Sequence, residues 1–185
     1  MEFILASNSP RRKEILTSAG FSFKVVTAEF EEKAFSTDPT LTAKTFALGK
    51  ATAVFEKIKN ENVLVLGADT VVFFDGEILG KPKDESCARE MLKRLSGKTH
   101  TVVTGYALLS NGGVICDSVA TQVTFNKLSD ELIESYLASG LYKGKAGSYG
   151  IQDNFPLVKE YDGSLTNVIG LPIEVISPII KDILK

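Results

Sequence analysis

The stretch Val63-Leu64-Val65-Leu66-Gly67-Ala68-Asp69-Thr70-Val71-Val72-Phe73-Phe74 constrains the fold more than any other part of the chain. It is apolar and rich in β-branched and aromatic residues, which predicts a strand buried on both faces. One carboxylate interrupts it. Burying an ionised aspartate is costly unless cations, hydrogen-bond donors or a metal compensate it, so the strand reading obliges Asp69 to find partners elsewhere. The competing reading makes Gly67-Ala68-Asp69-Thr70 a bulge or turn that delivers Asp69 to water. The local pattern does not choose between the two.

The segments that could supply partners follow in chain order. Phe3 to Ala6 predicts a short strand, Ser7-Asn8-Ser9 a polar turn, and Pro10 to Ala19 a helix closed by Gly20, with Ser9 as N-cap and Pro10 in the first helical position. The first turn of that helix carries Arg11, Arg12 and Lys13. The positive end of the helix dipole and the free amides there already favour negative charge, so cations in that turn suit a bound anion, or else form a solvated basic end. Arg12 on this pattern is a surface arginine of small consequence for stability.

Val25-Val26 predicts the next strand, followed by the acidic run Glu29-Phe30-Glu31-Glu32. From Pro39 to about Lys59 the apolar residues Phe46, Ala47, Ala51, Val54 and Ile58 recur at helical spacing, and Lys50 shares their stripe. Such a lysine either snorkels along the core edge or meets a buried anion, the Asp69 carboxylate among them. Beyond Phe74, Asp75-Gly76 is a two-residue hairpin signal with Glu77-Ile78-Leu79 returning, and Gly80-Lys81-Pro82 is a stiffened turn. Asp84 caps a helix ending at Gly97. Thr99 to Leu109 and Val114 to Phe125 predict long strands joined at Asn111-Gly112-Gly113, and Ser129 caps a helix to about Ser139. A glycine-rich approach from Gly144 to Gln152 precedes a strand predicted over Phe155 to Glu160. Gly170-Leu171-Pro172 leads into a last helix, expected to bend near Pro178. The pattern is α/β: one mixed twisted sheet with helices on its faces, a single unit over residues 1–185, with two lobes around a deep cleft.

Composition removes several classes. A chain of 185 residues with 44% apolar content builds one well-buried domain. A net charge of −2 argues against general binding of nucleic acid or anionic membrane, so any anion site is local. Two isolated cysteines, Cys87 and Cys116, and one histidine, His100, exclude a Cys/His zinc cluster. The start Met1-Glu2-Phe3-Ile4-Leu5 lacks the basic flank and apolar core of a signal peptide, and no run predicts a membrane span, which makes a cytoplasmic protein the expectation.

Six motifs, in order, resemble the Maf family of nucleoside triphosphate pyrophosphatases over nearly the whole chain. They are Leu5-Ala6-Ser7-Asn8-Ser9-Pro10-Arg11-Arg12, Gly67-Ala68-Asp69-Thr70, Gly80-Lys81-Pro82, Leu95-Ser96-Gly97-Lys98-Thr99-His100, Lys145-Ala146-Gly147-Ser148-Tyr149-Gly150-Ile151-Gln152 and Gly170-Leu171-Pro172. The resemblance implies an α/β fold with a deep cleft, often dimeric, that hydrolyses a nucleoside triphosphate to the monophosphate and pyrophosphate with a divalent cation (Mg²⁺, Mn²⁺ or Co²⁺). It implies Asp69 as general base, and Ser7, Arg12, Glu32, Lys50 and Lys81 as the polar groups of the cleft; the chemistry of phosphoryl substitution then makes Asp69 and Glu32, with phosphate oxygens, the expected ligands of the metal. Gly144 departs from the aspartate many members carry before Lys-Ala-Gly. The pair Glu31-Glu32 leaves two candidates for one functional acid, of which Glu32 is preferred by its place in the sequence.

The same resemblance makes Arg11, Thr70 and Gln152 the positions that separate substrate classes, and implies dTTP and UTP rather than the 7-methyl-GTP of a sister group. A glutamine amide meets part of the donor and acceptor pattern of a thymine or uracil edge, with Arg11 or Thr70 available for a remaining carbonyl. CTP is then the closest competitor, because a flipped Gln152 amide would fit it. A non-catalytic, nucleotide-binding regulator of cell division is the alternative class.

Overall fold

A computed structural model describes residues 1–32, 36–58 and 62–185. The interrupted apolar run is a strand throughout. β3 (Val63–Phe74) lies between β1 (Glu2–Leu5) and β5 (Thr99–Ser110) in a seven-stranded mixed sheet. β2 (Lys24–Val25) runs parallel to β1 on its outer side, and β1 runs parallel to β3. From β3 onward the sheet is antiparallel, through β5, β6 (Gly113–Phe125) and β7 (Val158–Asp162).

One edge of β3 has two successive partners. β1 pairs with it from Val63 to Leu66, and the short β4 (Glu77–Leu79) pairs with it from Val72 to Phe74. Between those stretches, residues 67–71 pair only with β5, so the sheet splits beside Asp69. The hairpin that brings β4 back is the predicted one. Asp75 and Gly76 both have positive φ, 53° and 79°, as a tight hairpin turn between right-twisted strands requires.

The helices sort by face. α2 (Pro39–Ile58) covers one face, its Ala47, Ala51 and Val54 packing on Ile4, Val63, Val65 and Ala107. On the other face, α1 (Pro10–Ser18) and α6 (Ile173–Leu184) enclose Leu64, Leu66, Ala68 and Tyr106. Farther along that face, α3 (Glu85–Leu95) and α4 (Asp130–Ala138) enclose Val72, Val102, Val123 and Phe125. These two clusters are the two lobes, and the split in the sheet lies between them. Asp84, Ser129 and Ser164 cap α3, α4 and α5 (Leu165–Ile169) as side-chain acceptors from Cys87, Leu132 and Asn167 amides.

Several expectations change. Ser9 sits at the N-cap of α1 but makes no side-chain cap bond; the turn is instead closed by Ser7 Oγ, which accepts the Ser9 N–H at 3.2 Å. The last strand runs from Val158 to Asp162 rather than from Phe155 to Glu160. The reason is local: Asn126 takes the Pro156 and Leu157 carbonyls, Pro156 has no N–H to give a ladder, and Phe155 packs edge-on to Tyr136. The second strand begins one residue early, at Lys24. α6 runs through Pro178 as one helix, and the predicted end of α2 at Lys59 lies outside the described residues.

The seam between α2 and the sheet is set by two glycines. A Cβ at Gly67 would lie 2.2 Å from the Ala47 carbonyl oxygen, and one at Gly105 would lie 2.3 Å from the Ala43 backbone. No side chain could stand there without pushing the helix off the sheet. The close approach brings the stripe that carries Lys50 down onto β3.

Candidate active site

A cavity of about 670 Å³ opens at the split, lined on one side by Ser7 to Arg12 and on the other by Lys81 and residues 143–146. Asp69 and Thr70 form its floor. Neighbouring strand residues point to opposite faces, so the two serve different helices. Asp69 faces α2, and Thr70 faces α1.

On the α2 side, Asp69 is buried, 7% exposed, and Lys50 Nζ donates to its Oδ1 at 2.5 Å. The same ammonium lies 2.6 Å from Glu32 Oε1. Of the readings open for Lys50, pairing with a buried anion is the one realised, and the bulge or turn that would have delivered Asp69 to water is not. Glu32 reaches Lys50 because the chain ahead of it is anchored. The Phe30 ring fills the space over Gly49, where any Cβ would lie 2.1 Å from the ring, and packs edge-on to Phe46.

The two carboxylates that share Lys50 are driven apart in acidity. Burial pushes the Asp69 carboxyl above its ordinary pKa and outweighs the opposing pull of Lys50 and Arg12, while the nearby Glu32 charge adds to the rise. Burial also disfavours the Glu32 anion, but the Lys50 hydrogen bond, with the charges of Lys50, Lys81 and Arg12, prevails and holds Glu32 below the usual carboxylate range. Divergent environments on adjacent carboxylates separate a proton acceptor from a group that stays anionic.

On the α1 side, Arg12 is not a free surface arginine. Its Nε donates to the Gly170 carbonyl at 2.8 Å, one terminal nitrogen donates to Ser7 Oγ at 3.2 Å, and the other to Thr70 Oγ1 at 3.2 Å. A guanidinium carries five N–H donors, so part of the fork remains for a ligand. Burial lowers the Arg12 pKa, against the attraction of Asp69. Arg11 is held by its Nε–H to the Ile169 carbonyl at 3.3 Å, and burial lowers its pKa too, against Asp153.

Thr70 is more committed than its sequence position indicates. Thr104 Oγ1 donates its one proton to the Asn167 carbonyl at 2.9 Å, so in its 2.9 Å contact with Thr70 it accepts. Thr70 therefore spends its proton on Thr104 and a lone pair on Arg12. It has no proton left for a base carbonyl and acts in this geometry on Arg12. Thr104 and Asn167 were not legible as site residues, since a threonine in a strand and an asparagine in a short helix carry no distinguishing pattern.

Lys81 is exposed at the cavity rim, on a turn tied to the neighbouring 143–148 segment by the Gly147 N–H to the Gly80 carbonyl at 3.1 Å. Gln152 is exposed and lines the same cavity, with Gly150 and the buried Tyr149. The structure thus brings Ser7, Arg11, Arg12, Glu32, Lys50, Asp69, Thr70, Lys81 and Gln152 to one cavity. His100 does not join them. It is buried between Phe125 and Tyr149, bonded to the Tyr149 hydroxyl at 2.7 Å, and burial lowers its pKa to about 4.

Among the described residues no group of three or more His, Cys, Asp or Glu side chains gathers as a metal cage. What the cavity offers a cation is two carboxylates, both oxygen donors and both on Lys50. Such a set fits a hard divalent ion that completes its shell with phosphate oxygens and water, and it does not fit a soft metal.

The fold and site together define a mixed α/β protein with a cleft in which arginines and lysines surround a buried carboxylate. The chain belongs to the Maf family: residues 2–183 match the family described as Maf-like protein. A curated relative from Pyrococcus abyssi, named dTTP/UTP pyrophosphatase, is 46% identical over 179 residues, covering 96% of this chain and 94% of the relative. One of the same name from Bacillus cytotoxicus is 49% identical over 175 residues, covering 93% and 90%. Among solved structures, the Staphylococcus aureus Ham1 protein superposes with a TM-score of 0.58 at 12% identity, covering 98% of this chain and 99% of that one, a likeness of fold. No described helix is long and apolar enough to cross a membrane.

Proposed function

We propose that this protein hydrolyses dTTP and UTP to the nucleoside monophosphate and pyrophosphate. The observation that carries the reading is the Glu32–Lys50–Asp69 arrangement, two carboxylates of opposed acidity on one ammonium at the floor of a cationic cleft. The names of the relatives point to the same reaction and substrates.

Each group has a task in that reaction. Asp69, whose burial raises its basicity, orients a water against the α-phosphorus and takes its proton. The water oxygen bonds to the α-phosphorus as the bond to the α–β bridging oxygen breaks, and that oxygen leaves with pyrophosphate. Arg12, Lys50 and Lys81 hold the phosphate oxygens, and Ser7 fixes the Arg12 fork by accepting from it. Lys50 faces two acids before substrate arrives, so a phosphate oxygen can replace one of them without leaving the ammonium unpaired.

Glu32 and Asp69 would hold a divalent ion, Mg²⁺, Mn²⁺ or Co²⁺, which when bound neutralises charge on the phosphate oxygens. Arg11 and Gln152 line the same cavity and would meet the base. The homodimer and the cytoplasmic setting implied by the family resemblance belong to the same proposal; light scattering tests the first. The activity is tested by pyrophosphate release from dTTP, UTP, CTP, GTP and 7-methyl-GTP with each divalent ion. Turnover highest on dTTP and UTP supports the reading; tight binding with no pyrophosphate released makes the protein a sensor and overturns it.

A further inference from the structure

The mechanism leaves one buried charged pair without a role. Lys145 and Asp153 form an ion pair with side chains 9% and 5% exposed, beside the cavity but away from the carboxylates of its floor. Asp153 Oδ2 accepts from both the Lys145 ammonium and the Tyr136 hydroxyl, the latter at 2.6 Å. The Tyr136 oxygen in turn accepts the Gly150 N–H at 3.2 Å, which ties the network to the segment that carries Gln152. The other oxygen, Oδ1, accepts from Gln152 Nε2 at 3.2 Å.

That last contact has only one polarity. A carboxylate paired with an ammonium accepts and does not donate, so the Gln152 amide can meet it only with its NH₂ end. The amide carbonyl is then turned away from Asp153. A free glutamine on an exposed rim would present either end to a ligand, and this one cannot without breaking a bond to a charged acceptor.

We infer that Asp153 is a positioning residue that locks the Gln152 amide with Oε1 toward the base, and so selects pyrimidines that carry an N3–H. The inference rests on the dTTP/UTP reading and deepens it. Uracil and thymine donate N3–H to Oε1. Cytosine carries a lone pair at N3, which would face the oxygen acceptor to acceptor. An unanchored glutamine would flip for cytosine and accept it; the lock removes that adaptation. The expectation that CTP is a close competitor through an amide flip is thereby reversed.

The test measures kcat/KM for UTP, CTP and N3-methyl-UTP. In Asp153→Asn, Lys145 and Tyr136 both donate, so they keep the asparagine oxygen in the place of Oδ2 and turn its NH₂ toward Gln152. The Gln152 amide then reverses and shows its NH₂ to the base. The UTP to CTP ratio is expected to fall by about tenfold or more, with CTP improving in absolute kcat/KM, which structural damage would not produce. Asp153→Asn combined with Lys145→Gln removes the charge left behind, and reads the same ratio if the single variant does not fold. On the wild type, N3-methyl-UTP is expected to lose about tenfold or more against UTP, and Gln152→Ala to abolish that difference. An unchanged ratio in a folded Asp153 variant, or wild-type turnover of N3-methyl-UTP equal to that of UTP, overturns the lock. Wild type that hydrolyses UTP and CTP alike overturns the lock alone, whereas wild type that releases pyrophosphate from no pyrimidine triphosphate overturns the function it rests on as well.

Discussion

Asp69→Asn separates chemistry from folding at a single oxygen. The substitution keeps the side chain's shape, and the asparagine carbonyl can still accept from Lys50, which also retains Glu32 2.6 Å away. What disappears is a base whose burial makes it a better proton acceptor than an ordinary carboxylate. Loss of a general base lowers turnover by ~10²–10⁴, or about 3–5 kcal/mol in the barrier. The lower end applies where Glu32 takes over the water, a poor substitute because its surroundings hold it below the usual carboxylate range. The fold should respond in the opposite sense. A carboxylate whose folded pKa is raised above its unfolded value disfavours the folded state once the pH exceeds both, so removing the charge leaves stability at pH 7 unchanged or higher. The assays are pyrophosphate release at saturating dTTP and metal, and thermal melting at pH 7. Turnover within a few-fold of wild type, or a melting temperature several degrees lower, would refute the reasoning.

Three further perturbations follow from the geometry. Arg12→Ala should raise KM or lower kcat/KM and also lower the melting temperature, because it strands the Gly170 carbonyl and loosens Ser7 and Thr70 at a cost of roughly 1–3 kcal/mol; a variant that melts like wild type would count against the anchoring role. Gly67→Ala must move α2 off β3 to relieve a 2.2 Å approach to Ala47, so it should destabilise by about 1–3 kcal/mol and lower kcat by drawing Lys50 away from Asp69, a linked loss visible in melting and turnover together. His100 is buried with its pKa lowered from 6.5 to about 4, so the unfolded chain takes up this proton first as the pH falls. Stability should therefore drop between about pH 6.5 and pH 4 by up to about 3 kcal/mol, and His100→Gln should flatten that part of the denaturation curve.

What could be read in the sequence was what local chemistry dictates. Asp75-Gly76 dictates a hairpin, Asp84 and Ser129 dictate helix starts, and an apolar stripe interrupted by Lys50 leaves few places for its charge other than a buried acid. The Asp69 dilemma could be posed but not solved, because the decisive fact is a split between β1 and β4 along one edge of β3, made by segments far apart in the chain. Glu32 could be preferred by position, yet the reason it reaches Lys50 lies in a Phe30 ring over Gly49, a contact between a loop and a helix interior. Arg12 reads as a surface residue in the sequence because its partners, Thr70 and Gly170, lie 58 and 158 residues away. The same holds for Asp153, whose neighbours Tyr136 and Lys145 mark it only once α4 and the loop have packed.

Asp69 and Thr70 are adjacent residues that serve opposite faces of one strand, the first meeting Lys50 and the second Arg12. Strand geometry then makes the reading frame of β3 a functional quantity. A single residue inserted or deleted ahead of Gly67 would exchange the two faces, turning the carboxylate toward the arginine and the hydroxyl toward the lysine, and would drive a side chain into the glycine seam with α2. Loops at the rim can lengthen, shorten or change their base-reading residues without touching that alternation. Descent with new substrate preferences is therefore open to this scaffold through its rim, while length changes in its central strand end the lineage in one step.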